Sequence, residues 1–114
     1  MGKAVRERPA RLAEKLLHIR RALGLSQNGM IRRMGLDGEL VQQDISSYEL
    51  DLREPPLRVL LEYARAAAGG EEGAAGYLEA LIDDEFDLPE ELPSPIPGRA
   101  GRRRRAGAKR GSKR

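Results

Sequence analysis

The sequence predicts an all-α fold, and three observations carry that expectation. Apolar residues recur three and four positions apart, as in Leu12, Leu16, Ile19 and Leu23, then Val41, Ile45 and Tyr48, then Leu57, Leu60, Leu61, Ala64 and Ala68. Glycines close these runs at Gly24, Gly35 and Gly69, where a helix can end on a left-handed residue. The chain has 114 residues, enough for one hydrophobic core and too few for two.

Five helices follow in order. Residues 1–8 read as a flexible leader, after which Pro9 suits the first turn of a helix that ends at Gly24. Ser26 is a good N-cap for a short second helix with Met30, Ile31 and Met34 as core fillers and Gly35 as its stop. Gly29 within it costs about 1 kcal/mol relative to Ala, so tertiary packing must hold this helix. The third helix, about 41–50, sets Val41, Ile45 and Tyr48 against a polar face of Gln42, Gln43, Ser46 and Ser47. Pro56 opens the fourth, whose stripe is Leu57, Leu60, Leu61, Ala64 and Ala68. The fifth, Ala74 to Ile82, offers Tyr77, Leu78, Leu81 and Ile82. The helical domain thus spans 9–83. Residues 84–97 form an acidic, proline-rich strap with Phe86, Leu88 and Leu92 as apolar pins. The Gly/Ala/Arg tail, 98–114, has nothing to bury and is expected to be disordered.

Composition narrows the chemistry. With no cysteine, one histidine and no tryptophan, few side chains remain for nucleophilic, acid–base or metal work, so no enzyme, catalytic residue, cofactor or metal is expected. His18 reads as a boundary residue, and Asp83, Asp84, Glu85 and Asp87 lack the spacing of a calcium loop. No run approaches the ~20 apolar residues of a membrane span. The N-terminus lacks a signal peptide's apolar stretch, and the absence of cysteine suits a reducing, cytoplasmic setting.

The net charge of +3 conceals three blocks. Residues 1–69 carry 12 Lys+Arg and 9 Asp+Glu, residues 70–97 carry none and 9, and residues 98–114 carry 9 and none. The tail cations are Arg99, Arg102, Arg103, Arg104, Arg105, Lys109, Arg110, Lys113 and Arg114. Such a tail points to an anionic partner, nucleic acid first, bound without regard to sequence.

A polar-faced third helix after a short second one suits a helix-turn-helix. The runs Leu23-Gly24-Leu25-Ser26-Gln27, Met34-Gly35, Ile45-Ser46-Ser47-Tyr48-Glu49, Arg53-Glu54-Pro55-Pro56-Leu57 and Leu61 with Ala64-Arg65-Ala66 resemble the Cro/C1-type (XRE) DNA-binding family over about two-thirds of the chain. The resemblance implies a five-helix, phage-repressor-like (lambda repressor-like) domain that regulates transcription from duplex DNA, nucleoid-associated in the cytoplasm. It implies base reading by Gln42 and Gln43, with Ser46 and Ser47 on the same side. A glutamine amide can donate to and accept from adenine at once, at about 1–3 kcal/mol of discrimination. It further implies that Ser26, Gln27 and Arg53 position phosphates, that Gln27 braces the reading helix, and that Arg20 and Glu49 form a structural pair between the first and third helices.

Three features depart from the family pattern. Asp37-Gly38-Glu39-Leu40 stands as an insertion in the turn, which leaves the first residue of the third helix open. Ile31 replaces a small alanine, and Asp51 a glycine after the third helix. A homodimer and a protein partner at residues 70–97 stay open. Two other functions do as well: an antitoxin-like interaction module using the acidic segment, and a non-specific nucleic-acid binder acting through the tail.

Overall fold

Five helix-compatible runs become five helices in the computed structural model, which describes residues 8–92: α1 (Leu12–Ala22), α2 (Gln27–Met34), α3 (Gln42–Glu49), α4 (Leu57–Ala68) and α5 (Ala74–Ile82). No β-strand occurs among the described residues. The leader up to residue 7, the strap from residue 93 and the basic tail lie outside them.

Local chemistry sets several helix ends. The Ser26 hydroxyl accepts the Gly29 N–H at 2.9 Å, filling one of the donors that a helix N-terminus leaves open. Gly35 and Gly69 close α2 and α4 with φ of 71° and 81°, a region that a side chain makes costly. Pro9 sits one turn earlier than expected. It lies ahead of α1, and the helix begins after Arg11 because the Asp84 carboxylate takes the N–H groups of Ala10 and Arg11 at 2.8 and 3.0 Å.

One core joins the helices. Leu12, Leu16, Ile19, Met30, Ile45, Val59, Tyr63 and Leu81 are its largest fully buried side chains, and truncating a leucine or isoleucine there costs about 2–5 kcal/mol. The α4–α5 hairpin makes the most extensive pairing, while α3 rests on α1 and α2.

The buried face of α4 is not the expected stripe. Val59, Leu60, Tyr63, Ala64 and Ala67 are buried, whereas Leu57 is 69% exposed and Leu61 only half-buried. The reason is that α5 covers one side of α4 while α1 and α2 cover another, so the buried arc centres on Leu60, Tyr63, Ala64 and Ala67. Val41, expected on the inner face of α3, precedes its first turn in an extended conformation and is exposed. Ile82 likewise falls on the outer side of α5.

Residues 83–92 lie across α1. Phe86, Leu88 and Leu92 pack on the core from outside. Lys15, inside an otherwise apolar face of α1, is only 3% exposed, and its ammonium donates to the carbonyls of Ala80, Asp83 and Phe86 at 2.6, 3.0 and 2.6 Å. It thereby serves the open carbonyl end of α5 as Asp84 serves the open amide end of α1. Burial lowers the Lys15 pKa, as does the charge of Arg11, with Asp84, Asp87 and Asp83 pulling the other way. His18, expected at the boundary, is partly buried with Nε2 2.9 Å from the Pro89 carbonyl.

Candidate nucleic-acid interface

The polar face of α3 is held from behind by charges. Tyr48 and Ile45 anchor the helix in the core, which turns Gln42 and Gln43 outward and leaves Ser46 and Ser47 half-covered. At the helix end, the Arg20 guanidinium grips Glu49 at two points, Nε to Oε2 at 2.6 Å and Nη2 to Oε1 at 3.0 Å, and a further N–H reaches the Leu25 carbonyl. The Glu49 side chain is only 6% exposed. Hydrogen bonding to Glu49 holds the Arg20 pKa above the ordinary arginine value, against the opposing effect of burial.

From Glu49 a line of hydrogen bonds leads to the surface. The Gln27 amide donates to Glu49 Oε1 at 3.1 Å, and Gln42 in turn donates to Gln27 Oε1 at 3.1 Å. Gln27 therefore ties the first turn of α2 to both ends of α3. Gln42 keeps one N–H and its carbonyl oxygen for an external partner, with the amide orientation set by Gln27. Ser26 has its oxygen engaged in the α2 cap and retains its hydroxyl proton as a donor.

Residues 36–40, read in the sequence as carrying an insertion, form a hydrogen-bonded turn ahead of α3. Leu36 turns inward after Gly35, its N–H on the Ile31 carbonyl, and its own carbonyl accepts from both Glu39 and Leu40. Gly38 supplies the left-handed corner, and Glu39 pairs with Arg58 on α4. The connection from Gly35 to Val41 is thus a small anchored turn, and α3 opens at Gln42. Ile31 is buried in the core beside it.

Comparison with protein-family models, with curated proteins and with solved structures finds no match. What the face can do rests on its own geometry.

Arg53, expected to position a phosphate, has partners within the fold. Its Nη2 donates to Asp44 Oδ1 at 2.6 Å, and its guanidinium lies 5.3 Å from the centre of the Tyr48 ring. The loop that delivers it turns at Asp51, which adopts φ 63° where a glycine would be at ease, steadied by Arg8 on its carboxylate and carbonyl at 2.9 and 3.0 Å. The Ser47 carbonyl then accepts from Leu52 and Arg53.

Charge is segregated along the chain. Residues 8–61 carry nine Lys/Arg and seven Asp/Glu, while residues 62–92 carry one and ten. Both carboxylates of α3 are covered by arginines from other elements, and α2 has none. Exposed Arg32 and Arg33 have no ion-pair partner among the described residues, so α2 has cations to offer. The adjacent Arg32 and Arg33 in the last turn of α2 are a basic spot whose signal in the sequence is the pair itself. Two surface hollows, of about 380 and 410 Å³, lie away from the polar side of α3. In the first, Arg11 pairs with Glu14 and Asp87, leaving little for a ligand to neutralise. Among the described residues no group of His, Cys, Asp or Glu is placed to hold a metal ion.

Proposed function

We propose that the chain binds duplex DNA sequence-specifically, as a transcription regulator of the Cro/C1 type. In this reading α2 and α3 act as a helix-turn-helix within a phage-repressor-like domain. The observation that carries it is the relay Arg20–Glu49–Gln27–Gln42, which fixes the outward Gln42 amide at the opening of α3 by hydrogen bonds from within the fold. A side chain held in one orientation loses little freedom when it meets a base edge, and that favours discrimination over mere adhesion.

In this reading Gln42 and Gln43 read bases, Ser46 and Ser47 add short donors, and Ser26 and Gln27 meet the phosphates that flank the groove. The residues described carry ten Lys/Arg and seventeen Asp/Glu, so long-range attraction to DNA falls to the tail cations beyond residue 98. A partner-binding role for the acidic strap has less behind it, because Phe86, Leu88 and Leu92 already pack against the chain's own core.

Selection from a random duplex pool tests the reading. A recovered motif supports it, and a palindrome with half-sites ~34–36 Å apart would also report a two-fold dimer. A pool that returns no preferred sequence, together with equal affinity for duplex, single strand and RNA, would leave only the tail as a binding element.

A further inference from the structure

The two acidic residues of α3 are neutralised to different degrees of permanence. Glu49 is enclosed and held by Arg20 at two points with Gln27 as a third donor. Asp44, near the exposed opening of the helix, is held by one N–H of Arg53, whose side chain is 53% exposed. The other Asp44 oxygen accepts the Val41 backbone N–H at 2.9 Å, so the carboxylate is fixed to the helix start by a bond that does not involve Arg53. Val41 has no side-chain acceptor with which to complete a reciprocal cap, which leaves Asp44 as the group that satisfies this end.

We propose that Asp44 is a specificity gate acting on Arg53, an inference that rests on α3 being the DNA-reading helix. A phosphate that draws Arg53 away leaves Asp44 in place, anchored by Val41 and uncompensated beside another anion. On most sequences that repulsion offsets what the arginine gains. Where the adjacent base edge presents an amino group, cytosine N4 or adenine N6, the vacated Asp44 Oδ1 accepts from it and the exchange becomes favourable. Arg53 is thereby a phosphate clamp released by the right base rather than a free one.

The test uses the full chain with two probes, a random-sequence duplex and the duplex recovered by selection. Asp44→Asn keeps an oxygen for the Val41 N–H and removes the charge, and Asp44→Ser repeats the measurement should Asn weaken the helix start. Circular dichroism checks that each variant is folded. The expected result is a gain of about three- to tenfold on random duplex at low salt, with a logarithmic salt slope steeper by ~0.9, the value of one further phosphate contact. The gain on the selected duplex is smaller, so discrimination falls, and adding Arg53→Ala to Asp44→Asn removes the gain. Equal gains on both duplexes, no gain, or a gain that survives Arg53→Ala would each overturn the gate while leaving the reading of α3 intact. A wild-type chain that prefers no duplex at all would overturn that reading, and the gate with it.

Discussion

Arg20 and Glu49 meet across α1 and α3 in a two-point ion pair, with both carboxylate oxygens engaged and a third donor arriving from Gln27. Both side chains are largely withdrawn from solvent, at 16% and 6% exposure. A charge left there alone keeps its desolvation penalty and loses its compensation. Either alanine substitution should therefore cost about 1.5–3 kcal/mol, the range for hydrogen bonds to charged groups. The double substitution should cost less than the sum by about 0.5–3 kcal/mol. Urea denaturation of the four proteins measures the cycle, and additive losses would mean that the pair does not hold α3 to α1.

Asp84 ties the strap to the start of α1, and that tie should be visible in acid. The backbone N–H groups of Arg11 and then Ala10 hold its pKa below the usual aspartate value of 3.8. A depressed folded-state pKa adds stability that is complete above the unfolded value and is lost as pH falls through the folded one. Below pH 4 the wild-type chain should therefore lose stability more steeply than Asp84→Asn. At neutral pH the variant should be the less stable of the two. Parallel acid limbs in thermal melts of the two proteins would show that Asp84 does not cap α1.

Tyr63 is a buried phenol whose hydroxyl has no hydrogen-bond partner among the described residues. Burial, with the nearby charge of Glu49 second, pushes its pKa well above the ordinary tyrosine value. Removing an unsatisfied polar group relieves a penalty of about 1–3 kcal/mol, so Tyr63→Phe should leave stability unchanged or raise it within that range. A loss of more than about 1 kcal/mol in urea would show that the hydroxyl makes a stabilising bond.

The nine tail cations should contribute affinity without choice. Truncation after residue 98 is expected to weaken binding and to lower the logarithmic salt slope by at most ~8, at ~0.9 for each phosphate neutralised. The preferred sequence should not change. If the acids between residues 70 and 97 compete for the same cations, replacing those other than Asp84 with Gln or Asn should enlarge the effect of truncation. An unchanged slope in both backgrounds would take away the tail's role on DNA.

The parts of this fold that sequence reveals are those set within a few residues. Ser26, Gly35 and Gly69 mark helix ends because a cap or a left-handed turn is a property of the local backbone. Asp51 shows the limit of that logic, since an aspartate takes the glycine's conformation with Arg8 in support. The buried face of α4 is not legible in the sequence because its apolar residues surround more than one side, and only the positions of α1, α2 and α5 decide which side is covered. Lys15 and Asp84 were illegible as structural residues, because the groups they satisfy lie 65 or more positions away. At the candidate site, the meeting of Arg20 with Glu49 is expected only from a resemblance, since the two lie 29 positions apart. The capture of Arg53 by Asp44 depended on a loop path that the pattern does not give.

Base reading at the opening of α3 is tested most directly by Gln43, which is exposed there and lies outside the relay that holds Gln42. Gln43→Ala should weaken binding to the selected duplex by about 1–3 kcal/mol while leaving affinity for random duplex nearly unchanged, at one fixed salt concentration. Equal losses on both duplexes would make Gln43 a backbone contact, and no loss on either would remove α3 from the interface.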